Sequence, residues 1–144
     1  MHPLLFFLFA LSTAADVSYE FASAGDSTTF DLGRKTLNVI RMFDVDKGRA
    51  PEYFVTCLTT VETPFGLPGC GRWAKQDGFV PSGVQSTYSL TNGKLTLNAV
   101  NSFDEGYYFG FSSLSSFNAL RSSEKSLVEM LAIPELAAKY LIVM

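Results

Sequence analysis

Histidines, cysteines and clustered carboxylates are the side chains through which most protein chemistry runs, and this chain has few of them. The single histidine is His2, and the cysteines are Cys57 and Cys70. Asp44 and Asp46 share a polar turn that reads as solvated surface, with a weak cation site as the alternative. Asp104-Glu105 reads as a structural corner. His2 lies in a segment expected to be removed, so the mature chain would hold no histidine. That excludes Ser-His-Asp triads, histidine acid–base catalysis and histidine-ligated metals. Two sulfurs alone are too few for zinc. The sequence has no phosphate-cradling loop, no Gly-x-Ser-x-Gly elbow and no dinucleotide fingerprint. Neither an enzyme nor a cofactor or metal is expected.

The elements that must position these residues begin after the N-terminus. Leu4 to Leu11 is the apolar block LLFFLFAL, followed by Ser12, Thr13, Ala14, Ala15 and then Asp16. An apolar block ending in small residues is the pattern of a secretory signal peptide. It is far short of the ~20 residues that cross a bilayer. The alternative is a short buried element of the domain. The expected organisation is 1–15 as signal, 16–120 as the folded domain and 121–144 as a tail. The protein is then secreted. In an oxidising compartment Cys57 and Cys70 are expected to pair, closing a loop worth about 3 kcal/mol; two free thiols are the alternative. No Asn-x-Ser/Thr sequon occurs, so N-glycosylation is not expected. Eleven basic residues face fourteen acidic ones, a net charge of −3, which gives nucleic-acid binding no electrostatic support.

At 47% apolar and 14% aromatic the chain is too hydrophobic to be disordered. Strand signals dominate from residue 17 to about 114. Thr28, Phe30 and Leu32 alternate on one face. Thr36 to Phe43 follows, with Asn38, Ile40 and Met42 expected to point inward. EYFVTCL is rich in β formers, and residues 62–83 hold eight Gly and Pro residues and read as loops. STYSL, Asn92-Gly93 and KLTLNAV form a strand–turn–strand signature, and GYYFGFSSL is one more strand. The pattern predicts an all-β, antiparallel sandwich. In the tail, Ser126 and Glu129 fit a capping box that opens a helix. Pro134 interrupts, and Glu135 to Tyr140 is expected to add a second helical turn or two. Leu127, Met130, Leu131, Leu136, Tyr140 and Leu141 would form its buried stripe.

The strongest signal is Leu95-x-Leu97-x-x-Val100-x-x-x-Asp104-x-Gly106-x-Tyr108. Leu95 and Leu97 point inward at period two, and Val100 packs beneath a corner. Asp104 and Gly106 suit a tight turn, and Tyr108 can return its hydroxyl to backbone. This resembles the corner between strands E and F of the immunoglobulin superfamily. Gly25-x-Ser27-x-Thr29-Phe30-x-Leu32 is similar to an A′–B pair, Lys47 to Pro51 to a C–C′ turn, and Gly83 to Ser89 to the start of strand D. The resemblance covers residues 17–114 and is to the V-set, which implies an immunoglobulin-like sandwich; the short helical C-terminal tail is expected from the capping box and apolar stripe alone. A second alignment, to the I-set, places Cys57 on strand B and Trp73 on strand C.

The departures are specific. Leu32 and Gly110 stand where the family has its inter-sheet disulfide. Met42 stands where strand C has its tryptophan, and Thr87 where strand D has the base that pairs the corner aspartate. Phe117 to Leu120 is the sole candidate for strand G. Strand alternation puts Tyr107, Phe109 and Phe111 outward, with Arg41, Phe43, Pro51 and Tyr53 on the same side. Phe43, Tyr53, Phe109 and Phe111 then form an aromatic patch, where paired variable domains meet. The alternative is that Leu127, Met130 and Leu131 fold back over it. The resemblance implies a secreted or cell-surface recognition module that binds another protein or itself. A small carrier of an apolar ligand and a truncated receptor ectodomain are the other readings.

Overall fold

The computed structural model describes residues 16–55, 71–76, 87–123, 125–133 and 136–144. Residues 1–15 and both cysteines lie outside the described residues, and with them the signal peptide and the Cys57–Cys70 pairing. The strands are β1 (Asp16–Ala22), β2 (Thr28–Asp31), β3 (Asn38–Met42), β4 (Glu52–Val55), β5 (Trp73–Lys75), β6 (Thr87–Thr91), β7 (Lys94–Asn98), β8 (Gly106–Phe111) and β9 (Ala137–Val143). Two helices, α1 (Leu114–Ser123) and α2 (Leu127–Leu131), lie between β8 and β9. The fold is mostly β and forms a two-sheet sandwich. The larger sheet runs β1-β9-β8-β3-β4-β5 and the smaller β2-β7-β6. β1 pairs parallel with β9; every other pairing is antiparallel.

Between the sheets lies one core. Phe30, Leu90, Leu95 and Leu97 come from the smaller sheet. Val39, Phe54, Trp73, Tyr108 and Leu141 face them from the larger, and Val100 closes one end. A second core covers the outer face of the larger sheet. There Ile40, Met42, Tyr53, Val55, Phe109, Phe111 and Ala138 pack against Phe117 of α1 and Met130 of α2.

The β6–β7 hairpin forms where Asn92-Gly93 predicts it. Both residues have positive φ, 53° and 77°, as a two-residue I′ turn demands. Gly93 also meets the chain at Gly33: a Cβ on Gly93 would stand 1.6 Å from the Gly33 carbonyl oxygen. Gly93→Ala is therefore expected to cost at least ~2 kcal/mol, combining overpacking with a strained φ. Gly48→Ala is the control, since Gly48 has φ 62° but open space around it. Urea denaturation of the two variants should rank them in that order; equal losses would contradict the close approach.

Two expectations are corrected. On β3, Val39 and Arg41 face the inter-sheet core, while Ile40 and Met42 face the helices. The register sets this: Arg41 lies opposite Tyr108 and Val39 opposite Gly110. All five β3 residues are buried, so alternation of polarity could not tell one face from the other. The second correction concerns the tail. The capping box is present, with the Glu129 amide donating to Ser126 Oγ at 3.2 Å and the Ser126 amide to Glu129 Oε1 at 2.9 Å. Those bonds hold the Glu129 carboxyl below its usual range. But α2 ends at Leu131, and 137–143 is a strand, not a helix. β9 lies between β1 and β8, so the sandwich runs on through the tail instead of closing near residue 120. Phe117 to Leu120, the expected last strand, lies inside α1.

Candidate functional site

At one end of the sandwich, charged groups enter the core. Arg41 is fully buried, and its Nε donates to Glu52 Oε1 at 2.7 Å while Nη2 lies 2.6 Å from the same oxygen. Its Nη1 reaches Asp104 Oδ1 and the Tyr108 hydroxyl, each at 3.1 Å. Glu52 is shared with Arg49, whose Nη2 lies 2.9 Å from Oε2. Two cations thus meet two carboxylates with no net charge left over. The guanidinium of Arg41 lies over the Trp73 ring at 4.1 Å, and that of Arg49 over Phe43 at 3.7 Å. Desolvated cation–π contacts of this kind are worth about 2 kcal/mol.

The expected corner residues sit in this network. The Tyr108 hydroxyl donates to the Asp104 carbonyl. Asp104 ends a 3₁₀ turn, where its Oδ2 accepts from the Asn101 amide at 3.0 Å. Gly106 is needed for close approach: a Cβ there would stand 2.6 Å from the Met42 carbonyl oxygen. Arg41 from β3 pairs the corner aspartate, a partner that sequence reasoning missed.

Burial raises the Tyr108 hydroxyl well above its ordinary value of 10.0, against a smaller lowering by Arg41. Tyr140 is raised as well, by burial and by its bond to Asp44. The unfolded chain releases these protons near pH 10 and the folded chain keeps them. Their contribution is therefore full below about pH 10 and is lost as pH rises further. Urea midpoints should fall as pH rises from about 10 to about 12, and Tyr140→Phe should flatten that fall. A midpoint independent of pH over this range would contradict the assignment. Tyr108→Phe should also cost ~1–3 kcal/mol at neutral pH by removing the buried hydroxyl that accepts from Arg41 Nη1 and donates to the Asp104 carbonyl.

The aromatic patch expected on the outer face is covered. Tyr53, Phe109 and Phe111 share that face and are buried under α1 and α2, with the Phe117 ring 6.0 Å from those of Tyr53 and Phe111. Met130 is buried in the same cluster, with Leu127 and Leu131 packed against it. Phe43 is buried too, but under Arg49 and apart from the other three. The patch is thus a core within the chain, and the folded-back tail is the arrangement found.

What stays open on this face lies at the sheet edge. β1 is the terminal strand, and Tyr19 and Phe21 on it are 59% and 61% exposed. Tyr19 leans edge-on against Tyr140 at 5.9 Å, and Tyr140 stacks on Tyr107 at 4.4 Å. Beside α2, a cleft of about 460 Å³ is lined by Met42, Phe43, Tyr53, Arg49, Lys125 and Leu127 among others. Among the described residues no group of three or more His, Cys, Asp or Glu could hold a metal. Nor, among them, is any helix long and apolar enough to cross a membrane. No protein-family model matches the chain, and no curated protein does.

Proposed function

We propose that the chain is a secreted, non-catalytic recognition module of immunoglobulin V-type, binding another protein through the β1 edge of its larger sheet. The fold reading is supported by the parallel β1–β9 pair beside β8, β3 and β4, with β2, β7 and β6 in the second sheet. It is supported also by Leu32, whose Cβ lies 2.9 Å from where a Cβ on Gly110 would stand. These two positions meet as the family's disulfide positions do. The observation that carries the binding reading is the exposed pair Tyr19 and Phe21 on an edge strand. Aromatic anchors are the usual hot spots of protein interfaces, and an open edge can add a partner's strand. Export with Cys57 joined to Cys70 belongs to the same proposal.

The test is capture from an array of extracellular protein domains by the immobilised protein. A saturable binder is expected whose affinity falls at least tenfold on Phe21→Glu and is unchanged on Val128→Glu, an exposed site on α2. A binder indifferent to Phe21→Glu would remove the β1 edge. The cleft beside α2 favours a second reading, a carrier of a small apolar ligand. Native mass spectrometry showing a stoichiometric small molecule in the purified protein would favour that reading instead.

A further inference from the structure

Three tyrosine rings meet where β1, β9 and β8 lie side by side. Tyr107 and Tyr140 are direct cross-strand partners, with ring centroids 4.4 Å apart and planes tilted by 54°. Tyr19, the exposed ring, stands at 5.9 Å from Tyr140. The Tyr140 hydroxyl donates to Asp44 Oδ2 at 2.7 Å. A phenol gives up an electron readily only if its proton leaves with it, and a carboxylate at hydrogen-bond distance is placed to take that proton. Tyr53 and Tyr108, by contrast, are buried, one under α1 and one between the sheets.

We propose that Tyr107 and Tyr140 form an oxidative cross-linking site, at which a haem-peroxidase-class oxidant using hydrogen peroxide joins them as dityrosine. The oxidant removes one electron from each ring. The Tyr140 phenol proton passes to Asp44 and that of Tyr107 to water. The two radicals couple between ring carbons ortho to the hydroxyls. Each coupled carbon then loses its hydrogen as a proton, and both phenol oxygens are reprotonated. One C–C bond forms, two C–H bonds break, and the two protons and two electrons released reduce one hydrogen peroxide to two waters. The product ties β9 covalently to β8. β9 lies between β8 and β1 and is the strand that pairs with β1, so the bond would lock the strand that attaches the β1 edge to the sheet. The inference stands on this geometry and is independent of what the β1 edge binds.

The experiment treats the folded full chain with a haem peroxidase and limiting hydrogen peroxide, followed by peptide mass spectrometry. The expected product is a monomer lacking two hydrogens, with the Tyr107 and Tyr140 peptides linked. Tyr107→Phe or Tyr140→Phe should abolish it, and Tyr19→Phe should leave it. Asp44→Asn should slow its formation about tenfold or more. Links spread over other tyrosine pairs, dimers joined chiefly through Tyr19, or the same yield in urea as in the folded state would each overturn the proposal. An Asp44→Asn rate equal to wild type would overturn the role of Asp44.

Discussion

Arg41→Met is expected to cost about 3–5 kcal/mol, the usual consequence of breaking a buried ion pair from one side. The reason is what it leaves behind. Asp104 and Glu52 are both buried, and Arg41 is the cation between them. Arg49 still reaches Glu52, but from the other oxygen. Asp104 would keep its bond from the Asn101 amide and lose its ion pair. Methionine fills much of the volume over Trp73, so the loss is chiefly electrostatic. A triple variant, Arg41→Met with Asp104→Asn and Glu52→Gln, should therefore be more stable than Arg41→Met alone. Urea denaturation checks both. An Arg41→Met protein within about 1 kcal/mol of wild type would show that the buried ion-pair network contributes little to the stability of the fold.

Ending the chain at Ala132 is expected to abolish cooperative folding altogether. The cut keeps both helices and removes β9, which carries Leu141 of the inter-sheet core and Ala138 of the outer one. β1 would lose its partner strand, and β8 one of its two. Glu105 would lose the Val143 amide that its Oε1 accepts at 2.9 Å. Two exposed sheet edges then replace a closed pairing, a recipe for aggregation. Circular dichroism should show no sigmoidal melt and light scattering should show oligomers. A truncated protein melting cooperatively would contradict the placement of β9.

The β6–β7 hairpin and the corner at Asp104 were legible because their signals are local. Asn92-Gly93 fixes a turn by backbone sterics, and Leu95 and Leu97 bury one face only, so period two is visible. β3 was legible as a strand but not in orientation, because it is buried on both faces. In the apolar run Val39-Ile40-Arg41-Met42-Phe43, alternation with Ile40 and Met42 set inward puts Arg41 outward, the reverse of its place in the fold. Its interior place depends on Glu52 and Asp104 arriving from elsewhere in the chain, and no periodicity records that. β9 was misread for a similar reason. Ala137 to Val143 suits a helix or a strand, and what decides is a slot between β8 and β1, the latter from the opposite end of the chain. The cover over Phe109 and Phe111 was anticipated as an alternative through Leu127, Met130 and Leu131. The share taken by α1 through Phe117 was not, since that segment was read as a strand.

The recognition reading is tested most directly by hydrogen–deuterium exchange of the protein with and without its captured partner. The expected result is protection confined to β1 and the adjoining β9, residues 16–22 and 137–143, with the smaller sheet unchanged. Protection on β2 and β6 instead, or around the cleft between residues 42–53 and 125–127, would contradict an interface at the β1 edge.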